Sequence, residues 1–287
     1  MPDPTAGVSR AFMRRLAAAR GYVCDMDGTL VLGNRLNKGL KPLPGGREFI
    51  AWLRRRDLPF VLFTNGTTRT PAQYAETLQP LGFRVTPENL MTPASSAVDL
   101  FVRRGYRRVM VLGGEGLRSP LQDAGIEAVA PTGRQKVDAV LVGWFRDFVM
   151  ENLEAGVHAV WDGAHLYSCS QSLFFATAEG KTLGSSRAIS IMIKDLTGAR
   201  LTIVGKPSLF ALSCAGRRLG VRLRDLAVIG DDPSLEIPMA HRGHALAIAV
   251  NTGIGDGDAF AKLPRGKRPH LTVHNVAELL EICRTLD

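Results

Sequence analysis

Cysteine is scarce in this chain: there are four in 287 residues, at Cys24, Cys169, Cys214 and Cys283, with no paired spacing. That excludes a disulfide framework and a cysteine-based zinc site, and it fits a reducing compartment such as the cytoplasm. No apolar stretch approaches the roughly 18 residues that a membrane span requires. Near the N-terminus there is no apolar signal-peptide core; Ala11 to Arg20 is a basic, alanine-rich stretch that reads as a surface helix. Repeats, low-complexity tracts, a P-loop and a Gly-x-Ser-x-Gly elbow are all missing. Acidic residues are in the minority, 27 against 36 Lys and Arg, leaving a net charge of +9. The basic residues fall in short clusters such as Arg54-Arg55-Arg56 and Arg107-Arg108, on or beside predicted amphipathic helices, without interleaved aromatics. Such clusters are normally solvated faces, so no nucleic-acid partner is expected; attraction of small anions is the milder consequence.

What is present is an apolar fraction of 45%, ordinary for a globular chain, and enough length for two domains. Four short apolar runs each end abruptly in polar chemistry. Tyr22-Val23-Cys24 leads into Asp25-Met26-Asp27-Gly28-Thr29, and Phe60 to Phe63 leads into Thr64-Asn65-Gly66. Leu201 to Val204 leads into Gly205-Lys206-Pro207, and Ala227 to Ile229 into Gly230-Asp231-Asp232, with Glu236 one helical turn on. Strands that carry function at their C-terminal ends read as one site on an open parallel sheet. Asp25 and Asp27, two apart, share one face of an extended segment, and like charges so close repel unless a cation or a proton intervenes. The pair asks for a hard divalent ion such as Mg²⁺ and offers a carboxylate nucleophile.

These residues resemble the haloacid dehalogenase-like (HAD) phosphohydrolases, whose four motifs occur in this order. The first is Asp-x-Asp-Gly-Thr, here Asp25 to Thr29; the second is a strand-terminal hydroxyl, here Thr64. The third is a lone lysine, Lys206, and the fourth is Gly-Asp with a further acid, here Gly230-Asp231 and Glu236. The resemblance spans roughly residues 20 to 260.

Motif spacing predicts the domain plan. Asp25 to Thr64 is only 39 residues, room for a loop, one helix near Arg47 to Arg56 and the next strand. Thr64 to Lys206 is 142 residues, far more than one crossover needs, so a second domain is expected there. The insert alternates predicted strands (108–112, 139–142, 166–168) with helices (117–124, 150–161, 185–197). The expected fold class is therefore α/β, a Rossmann-like doubly wound parallel-sheet core with an inserted α/β cap. The core is expected at 1–86 and 201–287 and the cap at 87–200. A cap in this interval resembles the NagD-like (class IIA) branch. Gly143-Trp144-Phe145-Arg146-Asp147-Phe148 looks like that branch's Gly-Phe-Asp-Arg-Asp-Phe segment, with Phe145 in place of its first Asp.

The resemblance implies a Mg²⁺-dependent phosphatase of small phosphorylated metabolites, and caps of this type often mediate homodimers. It implies Asp25 as nucleophile, Asp27 as general acid and base, and Lys206 as the catalytic cation. Thr64, Asn65 and Gly66 would bind the phosphate. Asp25, the Asp27 carbonyl, Asp231 and Glu236 would surround the metal, with Glu236 alternatively holding Lys206 and Asp232 a local alternative to it. Aligned on Glu179-Gly180, Ser170 and Ser172 take the places of the branch's Asn and Asp in the substrate pocket. A phosphotransferase, or a non-catalytic anion-binding or regulatory protein, stays open as an alternative. His241 and His244 are expected to be no metal pair, and Gly113-Gly114-Glu115-Gly116 a tight turn.

Overall fold

The computed structural model describes Thr5, residues 7–255 and residues 257–286. In chain order the strands begin with β1 (Gly21–Cys24), β2 (Val31–Leu32), β3 (Lys41–Pro42), β4 (Phe60–Phe63) and β5 (Leu90–Met91). There follow β6 (Arg108–Leu112), β7 (Glu127–Val129), β8 (Ala139–Val142), β9 (His165–Ser168), β10 (Phe174–Thr177) and β11 (Gly180–Leu183). The last four are β12 (Leu201–Ile203), β13 (Leu226–Gly230), β14 (Leu246–Val250) and β15 (Leu271–Val273).

Six of them form the core sheet in the order β15-β14-β13-β1-β4-β5, all parallel. Alternate residues along each central strand enter opposite apolar clusters. Tyr22, Cys24, Phe60, Leu62, Ala227 and Ile229 pack on one side, and Val23, Val61, Phe63 and Val228 on the other. That is why these strands read as continuous apolar runs: both faces are covered by helices. The chain winds outward from β1 in two directions, so the crevice between the C-terminal ends of β1 and β13 is the switch point where such sheets bind ligands.

A second parallel sheet, β12-β9-β8-β6-β7, forms the cap. It too is covered on both faces, Val109 and Val111 entering one cluster and Met110 and Leu112 the other. An antiparallel hairpin, β10-β11, projects from it, and β2-β3 makes a small hairpin beside the core.

Two strands fall on the other side of the expected junctions. Leu90–Met91 pairs with Leu62 and Phe63 in the core sheet, whereas Leu201–Ile203 pairs with Leu166 to Ser168 in the cap. The four motif runs therefore do not share one sheet: three end in the core, and Lys206 arrives on a loop leaving the cap. A two-residue strand has no periodicity to read, and a three-residue apolar run does not say which sheet it will join.

Close backbone packing seats the helix Gly46–Arg55 against the core. Its leading residue Gly45 holds φ +81°, and a Cβ there would overlap the backbone N and Cα of Ala277 in the helix Val276–Arg284. Left-handed backbone costs an L-residue about 1–2 kcal/mol, and the overlap adds to that because backbone atoms cannot swing aside. Gly45→Ala is expected to destabilise the fold by about 2 kcal/mol or more in urea unfolding. An unchanged midpoint would show that the two helices separate freely at this contact.

Candidate active site

Asp25 lies one residue beyond β1, its N–H still bonded to Ile229 O of β13 at 2.8 Å. The turn that follows is closed by Gly28 N donating to Val31 O at 2.8 Å. This places the Asp25 carboxylate at the switch point, buried. One of its oxygens, Oδ2, accepts from the Thr29 hydroxyl at 2.9 Å; the other, Oδ1, is ion-paired with Lys206 Nζ. The Lys206 ammonium is itself only 2% exposed and stands 5.5 Å from the centre of the Phe63 ring. Burial pulls its pKa down, but the charges of Asp25 and Glu236 outweigh burial and hold it above the ordinary lysine value.

Asp27 is turned toward the second motif, where the Thr64 hydroxyl donates to its Oδ2 at 2.7 Å. Burial and the neighbouring charge of Asp25 push the Asp27 carboxyl up to about 6. Thr64 Oγ1 also accepts from Gly66 N at 2.8 Å, which folds the turn tightly; a Cβ at Gly66 would overlap the buried Tyr74 hydroxyl. Asn65 does something the motif did not reveal. Its Oδ1 accepts from Lys206 N at 2.8 Å and its Nδ2 donates to Lys206 O at 3.1 Å. The amide thus clamps the backbone of the lysine loop from both sides, and at 3.3 Å its Nδ2 also reaches Ser170 Oγ. Gly205 makes this approach feasible, because a Cβ there would overlap Cys169 O. The Lys206–Pro207 peptide is cis.

The fourth motif supplies three acids with different partners. Asp231 Oδ2 accepts from Ile254 N at 2.7 Å, and the carboxyl sits against Gly28 and Gly253, where any side chain would displace it. Burial and the charges of Asp25 and Glu236 hold it well above the usual carboxylate range. Asp232 caps the following turn, its Oδ1 accepting from Ser234 N at 2.7 Å and Ser234 Oγ at 2.6 Å. Glu236, for which both the metal and Lys206 stood open, pairs with Lys206 Nζ at 2.7 Å through Oε1, and Oε2 accepts from Asp232 N at 3.2 Å. Its carboxyl, 1% exposed, is pushed up to about 7 by burial against the pull of Lys206. Both oxygens are engaged within the protein, because Glu is long enough to reach past Gly230 to the lysine.

Five carboxylates and one ammonium line this cavity, a surplus of negative charge that burial makes costly unless a cation offsets it. Oxygen donors of this kind suit Mg²⁺, and Asp25 and Asp231 are the carboxylates that fit it. Among the described residues no three His, Cys, Asp or Glu side chains form a closed cage.

Ser170 and Ser172 line the same cavity as Asp25 and Lys206 and bond each other, Oγ to Oγ, at 3.1 Å. Sequence reasoning passed over the loop after β14, where Thr252 Oγ1 donates to Gly28 O at 2.6 Å and Ile254 N reaches Asp231. The strand-then-glycine signal at Gly253 and Gly255 was there to be found. It also passed over Asn34, Asn37 and the aromatic side chains of the cap that line the cavity. The two discounted motifs stay outside it: His241 Nε2 contacts Arg268 O at 2.7 Å, and Gly116 packs on the backbone of Thr67 and Arg69.

A sequence profile described as haloacid dehalogenase-like hydrolase matches residues 22–127, and a HAD-hydrolase-like profile matches residues 203–279. The chain is 26% identical over 236 residues to the 5'-nucleotidase YutF of Bacillus subtilis, covering 82% of this chain and 88% of YutF. An acid sugar phosphatase of Staphylococcus epidermidis is 27% identical over 236 residues, covering 82% and 87%. NagD from E. coli K-12 shares the fold, with a TM-score of 0.79, 23% identity and coverage of 91% of this chain and 98% of NagD. Haloacid dehalogenase-like hydrolase profiles match residues 22–127 and 203–279, together more than half of the chain, and the chain belongs to the haloacid dehalogenase-like hydrolases.

Proposed function

We propose that the protein is a Mg²⁺-dependent phosphatase that hydrolyses small-molecule phosphate monoesters through a phosphoaspartate on Asp25. The observation that carries the reading is the Asp25 carboxylate at the switch point, flanked by Lys206 and Thr29, with a second carboxyl of raised pKa two residues away. Asp25 attacks phosphorus, the ester P–O bond breaks, and Asp27 gives its proton to the leaving oxygen. Asp27, now ionised, takes a proton from water as the water oxygen attacks phosphorus and the P–O bond to Asp25 breaks. A carboxyl near 6 is suited to both directions of transfer around neutral pH. Lys206 offsets the charge of the phosphoryl group, and Glu236 holds that ammonium in place. Thr64 has a single hydroxyl proton, given to Asp27 in the structure, so contact with a phosphoryl oxygen exchanges that hydrogen bond. Mg²⁺, held by Asp25 and Asp231, would supply Lewis-acid neutralisation of the phosphoryl oxygens.

In this reading the core is 1–92 with 205–287 and the cap 93–204, a division supported by the strand pairings. The cap roofs the site and limits it to small metabolites. A reducing compartment, the cytoplasm, agrees with three buried free cysteines and one half-buried. No helix among the described residues is long and apolar enough to cross a membrane.

Replacing the nucleophile is the first test. Asp25→Asn is expected to lower kcat by at least about a thousandfold, and EDTA to abolish wild-type hydrolysis until Mg²⁺ is restored; full activity in Asp25→Asn would end the covalent reading. Asp27→Asn should impair alkyl phosphates far more than p-nitrophenyl phosphate, whose leaving group departs without a proton. Equal losses on both would remove Asp27 as the acid. Glu236→Gln is expected to lower kcat about tenfold while the Mg²⁺ concentration for half-activation stays unchanged. A large rise in that concentration would return Glu236 to the metal.

A further inference from the structure

The cap sheet winds outward in two directions from β6, since β7 lies on one side of it and β8, β9 and β12 on the other. Its own switch point is therefore the crevice between the C-terminal ends of β6 and β8, the place where an open parallel sheet binds a ligand. Gly143 N donates to Leu112 O at 2.9 Å and joins the two strand ends. The occupant of the crevice is a piece of the core, Thr67, which is only 1% exposed. Trp144 N donates to Thr67 Oγ1 at 2.9 Å. A Cβ on Gly143 would come within 3.0 Å of that same Oγ1. On the other rim, a Cβ on Gly116 would lie 2.5 Å from Thr67 O and 2.6 Å from Arg69 N. Both glycines let the cap backbone touch the core loop directly, and neither lines the catalytic cavity.

The loop seated there is also the one that carries the second motif. Gly66, next to Thr67 in the chain, donates its N–H to Thr64 Oγ1 at 2.8 Å, and Thr64 in turn donates to Asp27 Oδ2 at 2.7 Å. Asn65 in the same turn grips the Lys206 backbone. The buried Tyr74 hydroxyl fills the space beside Gly66, which leaves the turn little room to absorb a shift by itself. Planar peptides have only two soft dihedrals per residue, so a displacement of Thr67 passes at once to Gly66 N. A misplacement of about 1 Å at a reacting group is enough to cost about a hundredfold in rate.

We infer that Thr67 is a positioning residue, the occupant of the cap's own ligand crevice, and that its seating there fixes the turn carrying Thr64 and Asn65 in the catalytic floor. This rests on the phosphatase reading of that floor. The hydroxyl is the part that the cap holds. Serine keeps the acceptor for Trp144 N, whereas valine, of nearly the same shape, leaves that N–H without its partner in a closed seam. Gly116 offers an independent handle from outside the cavity, in the helix Glu115–Asp123. Alanine suits a helical backbone better than glycine, so only the seam opposes it there. Gly114, the N-cap of that helix with φ −91°, has open space around it and is the control for the same substitution away from the seam.

The test measures steady-state kinetics of the intact Mg²⁺-loaded enzyme on the alkyl phosphate that the wild type hydrolyses fastest, and backbone amide exchange by NMR in the same variants. Thr67→Val and Gly116→Ala are each expected to lower kcat about tenfold with KM held within about twofold, while Thr67→Ser and Gly114→Ala stay close to wild type. Exchange of the Gly66 and Trp144 amides should quicken at least about tenfold in the first two variants and in neither of the others. If Gly116→Ala does not fold, the valine and serine variants of Thr67 carry the same comparison. Wild-type kcat in Thr67→Val, or an equal loss in Thr67→Ser, would overturn the positioning role. If the wild type turns over no ester, the phosphatase reading falls, and exchange alone decides the seam: an unchanged Gly66 amide in Thr67→Val overturns it, and a quickened one upholds it.

Discussion

The buried Lys206 ammonium, paired with Asp25 and Glu236, is the interaction on which the site depends. A lone buried carboxylate or ammonium is too costly to keep charged, and breaking a buried pair by removing one partner typically costs about 3–5 kcal/mol. Here the lysine arrives on a loop that leaves the cap sheet, whereas Asp25 and Glu236 are mounted on the core. Asn65 clamps the lysine backbone from the core side. The Lys206 loop is thus held on the core at the catalytic floor, by its two ion pairs and by Asn65.

The same arrangement separates chemistry from recognition. Every charged group that faces the cavity follows the end of a core strand, opens the helix after β13 or sits on the lysine loop. The cap brings only rings, hydroxyls and backbone to it. Cap residues can then change the leaving-group pocket without disturbing the charge balance at Asp25. Glu236 illustrates the opposite case: through its pair with the Lys206 ammonium, its carboxylate helps set where that charge stands.

Much of this was legible in the sequence because central parallel strands are buried on both faces and advertise themselves as apolar runs. β1, β4 and β13 end at Asp25, Thr64 and Asp231 for that reason. The helices at Gly46–Arg55, Met150–Trp161 and Ser185–Thr197 were equally plain. What stayed hidden is what depends on distant pairing. Leu90–Met91 and Leu201–Ile203 have no intrinsic sign of the sheet each joins, and the hairpin at Phe174–Leu183 is defined by cross-strand bonds. Asn65 looked like a phosphate ligand because it follows Thr64; its engagement with the Lys206 backbone spans 141 residues of chain. Glu236 was ambiguous between metal and lysine, since side-chain length alone does not fix direction.

The central claim is that the phosphoryl group visits Asp25 before water. Two successive in-line displacements at phosphorus restore its configuration, and one direct attack by water inverts it. The decisive measurement is the stereochemical course of hydrolysis of an oxygen-isotope-chiral thiophosphate monoester by the Mg²⁺-loaded enzyme. Retention is predicted; inversion would contradict the account.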